Sequence, residues 1–377
     1  MPDLTIRGRL LLGDQLVPGA LVIESGRIAA IERSAEQLPH PIVDAEIVSP
    51  GFIDLQVNGG FGVEVGTDPD AFRRLAAALP ATGVTAYLPT AVSSPPDFYP
   101  ALFAAFAASR DAPGARALGL HLEGPFLSPN RIGAHRREVI ENASPDLIDT
   151  FLAGPDVRLV TLAPERPGAL DWICRLVSCG ILVSLGHTDA TAAEFERGID
   201  AGALMTTHLY NAMSPFGHRS PNAIGAALTD DRVTCGLIVD GIHSDSLSLR
   251  LAVRAKAPDR ICLVTDMMSA AGMPPGKHSL FGKTVTVDET SARLEDGTLA
   301  GSIVTMDETV RNAVRWMGVT PAQALSMATA VPARLLDLPD AGRLVAGARA
   351  DLALLDAALN ITATYIAGKK VYSSLDK

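Results

Sequence analysis

Short apolar runs that end in a metal-ligating or acid–base side chain most constrain what this chain can fold into. Four such runs read ALGLHLE (117–123), ILVSLGH (181–187), LMTTH (204–208) and ICLVTD (261–266). Runs this short and this rich in Val, Ile, Leu or Thr are typical of buried parallel strands. Polar residues at the C-terminal ends of successive parallel strands are typical of an active site on a (β/α)₈ barrel. One Glu, two His and one Asp at these ends predict metal-assisted hydrolysis.

The middle of the chain alternates between predicted strands and helices. Eight strands are predicted, at 52–57, 85–89, 117–123, 158–162, 181–185, 204–208, 234–239 and 261–265. Six helical patterns are predicted, at 70–79, 97–109, 170–179, 190–201, 246–255 and 306–316. Eight strands with intervening crossovers close a barrel. The alternative is an open doubly wound sheet, but the G-x-G-x-x-G motif that is typical of such a sheet does not follow any early strand. Residues 280–299 are predicted to form an inserted hairpin beside the mouth of the site.

Both ends of the chain are β-rich. Short β-like segments are predicted at 4–6, 19–23, 27–31, 351–355, 361–366 and 370–372, separated by glycine-containing turns. We therefore predict an α/β protein, a metal-dependent (β/α)₈ TIM barrel with a small β-sandwich domain built from both termini. The predicted domains are residues 1–49 with 345–377 for the sandwich and 50–344 for the catalytic barrel.

Composition limits the classes of partner. The formal net charge of −10 disfavours nucleic acid, because a phosphate backbone requires a basic surface. No apolar run approaches the roughly 18 residues of a membrane span. The first three residues, Met1 to Asp3, lack the basic and apolar regions of a secretory signal, and the four cysteines form no C-x-x-C pair. We expect a cytoplasmic protein with no nucleic-acid or membrane partner.

The polar residues at the strand ends form a plausible catalytic set. Glu123, His187 and His208 supply carboxylate and imidazole ligands, which suit zinc or iron(II), and three protein ligands leave a position open for water. Asp266, at the end of the eighth strand, could exchange protons with that water, although an N-cap role is the alternative. His243 could polarise a carbonyl, or it could be an ordinary loop histidine.

Seven motifs together carry a resemblance to a known family. They are HLEGPFLSP (121–129), TLAPE (161–165), SLGHTDAT (184–191), THLYNAM (207–213), VDGIHSD (239–245), LVTDMMSAAG (263–272) and LAGS (299–302). In this order, over nearly the whole chain, they resemble the N-acetylglucosamine-6-phosphate deacetylases of the amidohydrolase superfamily. The resemblance implies a metal-dependent hydrolase that converts N-acetyl-D-glucosamine 6-phosphate to D-glucosamine 6-phosphate and acetate, in amino-sugar catabolism or cell-wall recycling.

The resemblance also implies residue roles. The metal ligands fall on Glu123, His187 and His208, and the general base and acid on Asp266, with His243 stabilising the oxyanion. The implied substrate contacts are Ala134, His135, Asn211, Ala212, Arg219, His243, Leu299, Ala300 and Gly301. Arg219 is expected to bind the phosphate in the active site of a second subunit, which makes the protein a homodimer.

The first predicted strand departs from the wider superfamily. Many amidohydrolases carry His-x-His there, whereas this chain has Gln56 and Asn58, and neutral amides are poor zinc ligands. We therefore expect one divalent ion per subunit. Zinc is the expected ion, and iron(II) or another divalent ion is the alternative. The sequence leaves the sugar epimer open, so an N-acetylgalactosamine-6-phosphate deacetylase is an alternative. An amidohydrolase of cyclic amides or ureides and a metal-free scaffold are weaker ones.

Overall fold

The fold is known from a computed structural model that describes residues 3–33 and 41–376. The strands are β1 (Leu4–Leu12), β2 (Gln15–Glu24), β3 (Arg27–Glu32), β4 (Ile42–Pro50), β5 (Phe52–Val57), β6 (Gly59–Gly60), β7 (Val63–Glu64), β8 (Val84–Val92), β9 (Arg116–Ala117), β10 (Leu120–Glu123), β11 (Val157–Leu162), β12 (Leu182–Leu185), β13 (Met205–Thr206), β14 (Thr234–Leu237), β15 (Ile261–Leu263), β16 (Gly276–Leu280), β17 (Lys283–Val287), β18 (Ala292–Arg293), β19 (Leu352–Leu355), β20 (Ile361–Ile366) and β21 (Lys369–Ser373). The α-helices are α1 (Pro69–Ala78), α2 (Phe98–Ala107), α3 (Arg137–Glu141), α4 (Leu147–Ala153), α5 (Ala169–Ser178), α6 (Ala192–Asp200), α7 (Asn222–Thr229), α8 (Ser246–Lys256), α9 (Met306–Asn312), α10 (Pro321–Met327) and α11 (Ala330–Leu335). A π-helical turn (Ala313–Met317) extends α9.

Eight parallel strands form the barrel. Their spatial order is β5, β8, β10, β11, β12, β13, β14, β15, which is also their order along the chain. This sequential order confirms the predicted barrel, since a doubly wound sheet reverses strand order partway across. Within the described residues no ladder joins β15 to β5. Backbone bonds close that seam just beyond the strands, from Asp266 N to Gln56 O (2.9 Å) and from Asn58 N to Met267 O (2.9 Å).

Burial on both faces explains why the barrel strands could be predicted from the sequence. Every residue of β5 and of β10 is buried, because alternate side chains point into the barrel and toward the surrounding helices. Some of the helices begin at side-chain caps. In α6 the Thr191 hydroxyl and the Glu194 carboxylate form a reciprocal capping box, and in α8 Asp245 accepts from Leu247 N. All eight predicted strands and all six predicted helices correspond to observed elements.

The two termini share one seven-stranded sheet, in the order β21-β20-β19-β4-β1-β2-β3. The N- and C-terminal parts meet where β4 pairs antiparallel with β19, with Ile47 opposite Leu355. Strand β4 was not predicted, since its first half alternates between partly exposed and exposed residues. The domain boundaries at 49/50 and 344/345 remain a prediction, although β4 ends at Pro50 and β5 begins at Phe52.

The predicted hairpin insertion is a three-stranded antiparallel sheet, β16-β17-β18, which begins four residues earlier than expected. It docks against the loop after β10, where Lys283 Nζ donates to Ala134 O (2.8 Å) and to His135 O (3.1 Å). Phe281 N also donates to the Glu64 carboxylate. The insertion therefore forms one wall beside the C-terminal ends of the barrel strands. Among the helices in the described ranges, none has the length and apolarity to cross a membrane.

Candidate active site

Three predicted ligands converge at the C-terminal end of the barrel. Glu123 is the last residue of β10, and His187 and His208 follow β12 and β13 by two residues. The Nε2 atoms of His187 and His208 lie 3.3 and 3.1 Å from Glu123 Oε1 and 3.1 Å from each other. All three side chains are buried. The sequence prediction that these residues share one site is therefore consistent with the geometry, in which the donor atoms form a triangle.

The spacing of this triangle fits a divalent cation. Tetrahedral ligands at zinc distances stand roughly 3.4 Å apart, close to the three observed separations. His187 Nδ1 donates to Arg131 O (2.8 Å), so in the neutral imidazole Nε2 carries a lone pair toward the triangle. Burial alone would raise the pKa of Glu123, but the hydrogen bonds that His187 and His208 donate when protonated outweigh it and hold that pKa well below its ordinary value. A cation would take the place of the protons in these bonds.

His135 lies close enough to be a further ligand. Its Nε2 atom is 3.9 Å from Glu123 Oε2, and Glu123, His135 and His187 form a group whose donor atoms lie within 4.8 Å. Its Nδ1 atom lies 2.9 Å from Ser93 Oγ. Burial, followed by the charge of His187, lowers the pKa of His135 to about 3, so its imidazole is neutral. The triangle that includes His208 is the tighter of the two groups, and it is the one we assign to a single ion.

Left-handed backbone occurs at three of the proposed ligand and acid–base positions. The φ angles are 47° at His187, 28° at His208 and 52° at Asp266. Such angles are disfavoured for residues with a Cβ atom and cost on the order of 1–3 kcal/mol each. Each residue lies two or three positions beyond the end of a barrel strand, where the chain turns sharply away. Backbone strain at these positions is typical of a functional site held in place by its surroundings.

Asp266 stands across the barrel seam from the first strand. Asn58 Nδ2 donates to Asp266 Oδ1 at 2.5 Å, and Gln56 Nε2 donates to Glu123 Oε1 at 3.1 Å. Burial and the negative charge of Glu123 raise the pKa of Asp266 to about 6. The two amides that replace the superfamily histidines thus bind the carboxylates on either side of the site. A carboxyl group poised near neutrality is suited to accept and return a proton.

His243 is paired with an aspartate that the sequence analysis did not identify. Asp240 Oδ2 lies 2.6 Å from His243 Nδ1, and both side chains are almost fully buried. Asp240 Oδ1 also accepts from the backbone N–H groups of Ile242 (2.9 Å) and His243 (2.8 Å). A carboxylate can only accept, so Nδ1 carries a proton and Nε2 is left for another partner. The spacing Asp-x-x-His in VDGIHSD is the sequence signal that could have identified this pair.

A cavity of about 720 Å³ opens above these groups. Its lining includes the candidate ligands, Asp266 and most predicted substrate contacts, namely Ala134, His135, Asn211, Ala212, His243, Leu299 and Gly301. Ala300 is fully buried and its N–H donates to Ala292 O, so it lies behind the lining. Arg219 is exposed on the loop before α7 and does not line the cavity of its own chain.

Comparisons with known proteins agree with this geometry. Residues 47–371 match the amidohydrolase family. The chain is 39% identical to an N-acetylgalactosamine-6-phosphate deacetylase of Escherichia coli O157:H7, over 97% of this chain and 98% of that protein. It is also 39% identical to the N-acetylglucosamine-6-phosphate deacetylase of Homo sapiens, over 99% and 92% of the two chains.

A solved structure is also similar over nearly its whole length. It is an Asp-to-Ala mutant of the N-acetyl-D-glucosamine-6-phosphate deacetylase of Mycobacterium smegmatis, in complex with N-acetyl-D-glucosamine-6-phosphate. The two chains superimpose with a TM-score of 0.93 and share 37% identity, over 98% of this chain and 99% of the other. The chain therefore belongs to the amidohydrolase family and, within it, to the N-acetylglucosamine-6-phosphate deacetylases.

Proposed function

We propose that this enzyme hydrolyses the acetamide of N-acetyl-D-glucosamine 6-phosphate to give D-glucosamine 6-phosphate and acetate. The observation that carries the proposal is the convergence of Glu123, His187 and His208 on one point, with Asp266 and His243 lining the same cavity. Curated relatives with this activity cover nearly the whole chain. The proposed cofactor is one divalent ion per subunit, zinc first and iron(II) as the alternative, held by that triangle.

When bound, the ion supplies Lewis-acid polarisation of the carbonyl and a nucleophile formed from water at neutral pH. Asp266 accepts the proton of the attacking water and returns it to the departing amine nitrogen. Its elevated pKa suits both steps, because the group must be ionised first and protonated afterwards. His243 presents Nε2 toward the cavity and donates to the carbonyl oxygen as negative charge develops, with Asp240 compensating the charge of the imidazolium.

The phosphate is assigned to Arg219 of a second subunit in a homodimer. Within residues 3–33 and 41–376 no carboxylate pairs with Arg219, so its guanidinium is available for a phosphate. Exposed apolar side chains lie on the same loop and on the neighbouring helix α8, namely Phe216, Leu247 and Leu251. Tyr210 Oη donates to Ser248 O and joins this loop to α8. An exposed apolar surface around a cationic loop supports an interface between subunits.

The galacto epimer is a second candidate substrate, because the E. coli relative is an N-acetylgalactosamine-6-phosphate deacetylase at the same identity. Acetate release from both epimers by the zinc-loaded protein tests the proposal, with unphosphorylated N-acetylglucosamine as the control. Turnover of the gluco epimer at a kcat/KM well above the galacto epimer is the expected result. Absence of acetate from both phosphorylated sugars would contradict the function, and a preference for the galacto epimer would establish the second candidate.

A further inference from the structure

A chain of buried polar side chains lies beneath the proposed metal ligands and takes no part in the mechanism above. His121 Nε2 lies 2.8 Å from Thr161 Oγ1, Thr161 Oγ1 lies 2.7 Å from Thr207 Oγ1, and Ser184 Oγ lies 2.6 Å from Thr207 Oγ1. All four side chains are at most 1% exposed. Buried polar groups in a barrel core are costly unless each is satisfied, so a fully connected set of four calls for an explanation.

The acceptors at one end give this chain a single direction. His121 Nδ1 lies 3.1 Å from Leu55 O and 3.3 Å from Thr90 Oγ1. The Leu55 carbonyl can only accept, and the Thr90 hydroxyl already donates to Leu88 O. Both neighbours therefore accept from His121, and Nδ1 carries the proton. With the proton on Nδ1, the neutral form of this imidazole presents Nε2 as an acceptor.

The remaining protons follow in order. Thr161 donates to His121 Nε2, Thr207 donates to Thr161, and Ser184 donates to Thr207. Each hydroxyl proton thus has one assigned acceptor. Hydrogen bonds arranged head to tail polarise one another, so such a chain is stiffer than isolated pairs.

This chain of hydrogen bonds connects the strands that carry the candidate ligands. His121 and Glu123 are two apart on β10, so both side chains point into the barrel. Thr207 directly precedes His208, and Ser184 lies on β12, three residues before His187. Strand β13, which leads to His208, pairs over only Met205 and Thr206. Backbone bonds from Thr207 N to Leu185 O (3.1 Å) and from Leu209 N to Gly236 O (2.8 Å) flank the left-handed turn at His208, and the two side-chain bonds of Thr207 add a further restraint beside it.

We propose that His121, Thr161 and Thr207 are positioning residues, a one-way hydrogen-bonded chain that fixes His208 and Glu123 at the separation a divalent ion requires. This inference rests on the proposed function, since it assumes that the triangle binds an ion. Groups that orient ligands from behind typically contribute about 10–100-fold to metal affinity.

The test compares zinc release to a chelator from wild type, Thr207→Val and Thr207→Ser. Val has nearly the shape of Thr without the hydroxyl, and Ser keeps the hydroxyl. We expect Thr207→Val to weaken zinc affinity about tenfold or more and to lower kcat with little change in KM, and Thr207→Ser to restore both. Thr206→Val is the matched control, because it removes a neighbouring buried hydroxyl that takes no part in this chain of hydrogen bonds. Unchanged zinc release from a folded Thr207→Val protein would overturn the proposal.

The tautomer of His121 gives an independent readout in the metal-free protein. ¹⁵N NMR should show Nδ1 protonated and Nε2 unprotonated in wild type, with the Nε2 signal shifted in Thr161→Val and not in Thr206→Val. A proton on Nε2 would reverse the chain and overturn its assigned direction. Failure of the wild type to bind zinc would instead overturn the proposed function, while this spectrum would still report on the chain.

Discussion

The Asp240 carboxylate lies 2.6 Å from His243 Nδ1 and also accepts two backbone N–H groups of the same turn. This relationship sets which nitrogen of His243 faces the substrate cavity. It resembles the arrangement by which a buried aspartate orients a catalytic histidine in other hydrolases. An orienting carboxylate acts through hydrogen-bond direction, so its replacement by an amide of the same shape is informative.

We predict that Asp240→Asn lowers kcat by about 10–100-fold with a smaller change in KM. The Asn oxygen can keep the two backbone bonds, but the amide NH₂ then faces Nδ1 and removes the acceptor for its proton. Steady-state kinetics would measure the effect. Asp245→Asn is the control, because it preserves an N-cap in the same segment and should behave as wild type. Normal kcat in Asp240→Asn would show that His243 needs no orienting carboxylate.

We predict that Asn58→Ala moves the acid limb of the kcat/KM profile to higher pH. Asp266 acts as a base only when ionised, and the hydrogen bond from Asn58 favours the ionised form. Removing that donor raises the pKa of Asp266 further, so activity is lost at a higher pH as the solution is acidified. A bound cation lowers the pKa in both proteins and does not change the sign of the difference. Ser94→Ala, at another cavity-lining position, should leave the limb unmoved.

We predict that His208→Ala abolishes stoichiometric zinc binding, whereas His135→Ala retains it. His208 Nε2 is 3.1 Å from Glu123 Oε1, while His135 Nε2 is 3.9 Å from Glu123 Oε2. Elemental analysis should give about one ion per chain in wild type and in His135→Ala. Circular dichroism should confirm that both variants remain folded. Loss of the ion from His135→Ala alone would move the site to the looser group, and two ions in wild type would refute a single-ion enzyme.

We predict that Arg219→Ala and Asp266→Asn complement one another when mixed. Asp266→Asn alone should lose at least about 10²-fold in turnover. Arg219→Ala should raise KM strongly for the phosphorylated sugar and little for the unphosphorylated one. A mixed dimer in which Arg219 acts across the interface contains one site with both residues intact. Recovery of part of the activity on subunit exchange is therefore expected, and a fully active monomer would contradict the assignment.

We predict that Asp54→Asn gains stability relative to wild type as the pH rises from about 4 to 8. Burial raises the pKa of Asp54 to about 7, despite the hydrogen bond from the Thr265 hydroxyl. A raised folded-state pKa favours folding while the carboxyl is protonated, and that advantage is lost as pH rises through the folded pKa. The change corresponds to roughly 4 kcal/mol in the free energy of unfolding. Urea denaturation at pH 4 and 8 measures it, and a difference that is independent of pH would contradict the prediction.

The barrel and the convergence of Glu123, His187 and His208 were predictable because burial on both faces leaves uninterrupted apolar runs, and the polar residue that ends each run stands out. Relationships across loops and seams were not predictable in this way. Asp54 contacts Thr265 from 211 positions away, and the approach of His135 to Glu123 depends on a loop conformation. Strand β4 was not predicted because half of it lies at the surface, where apolar patterning is weak.

The pairing of β4 with β19 also orders events during synthesis. Strand β4 ends at Pro50, and its partner begins at Leu352, so the ribosome must add about 300 residues before the partner exists. At about 5–20 residues per second this interval is roughly 15–60 s. Throughout it, the β4 edge carries free backbone groups next to the apolar Ile47 and Val48, a surface open to unwanted strand pairing. A chain truncated after residue 350 should therefore aggregate during translation, and supplying residues 351–377 in trans should suppress that aggregation.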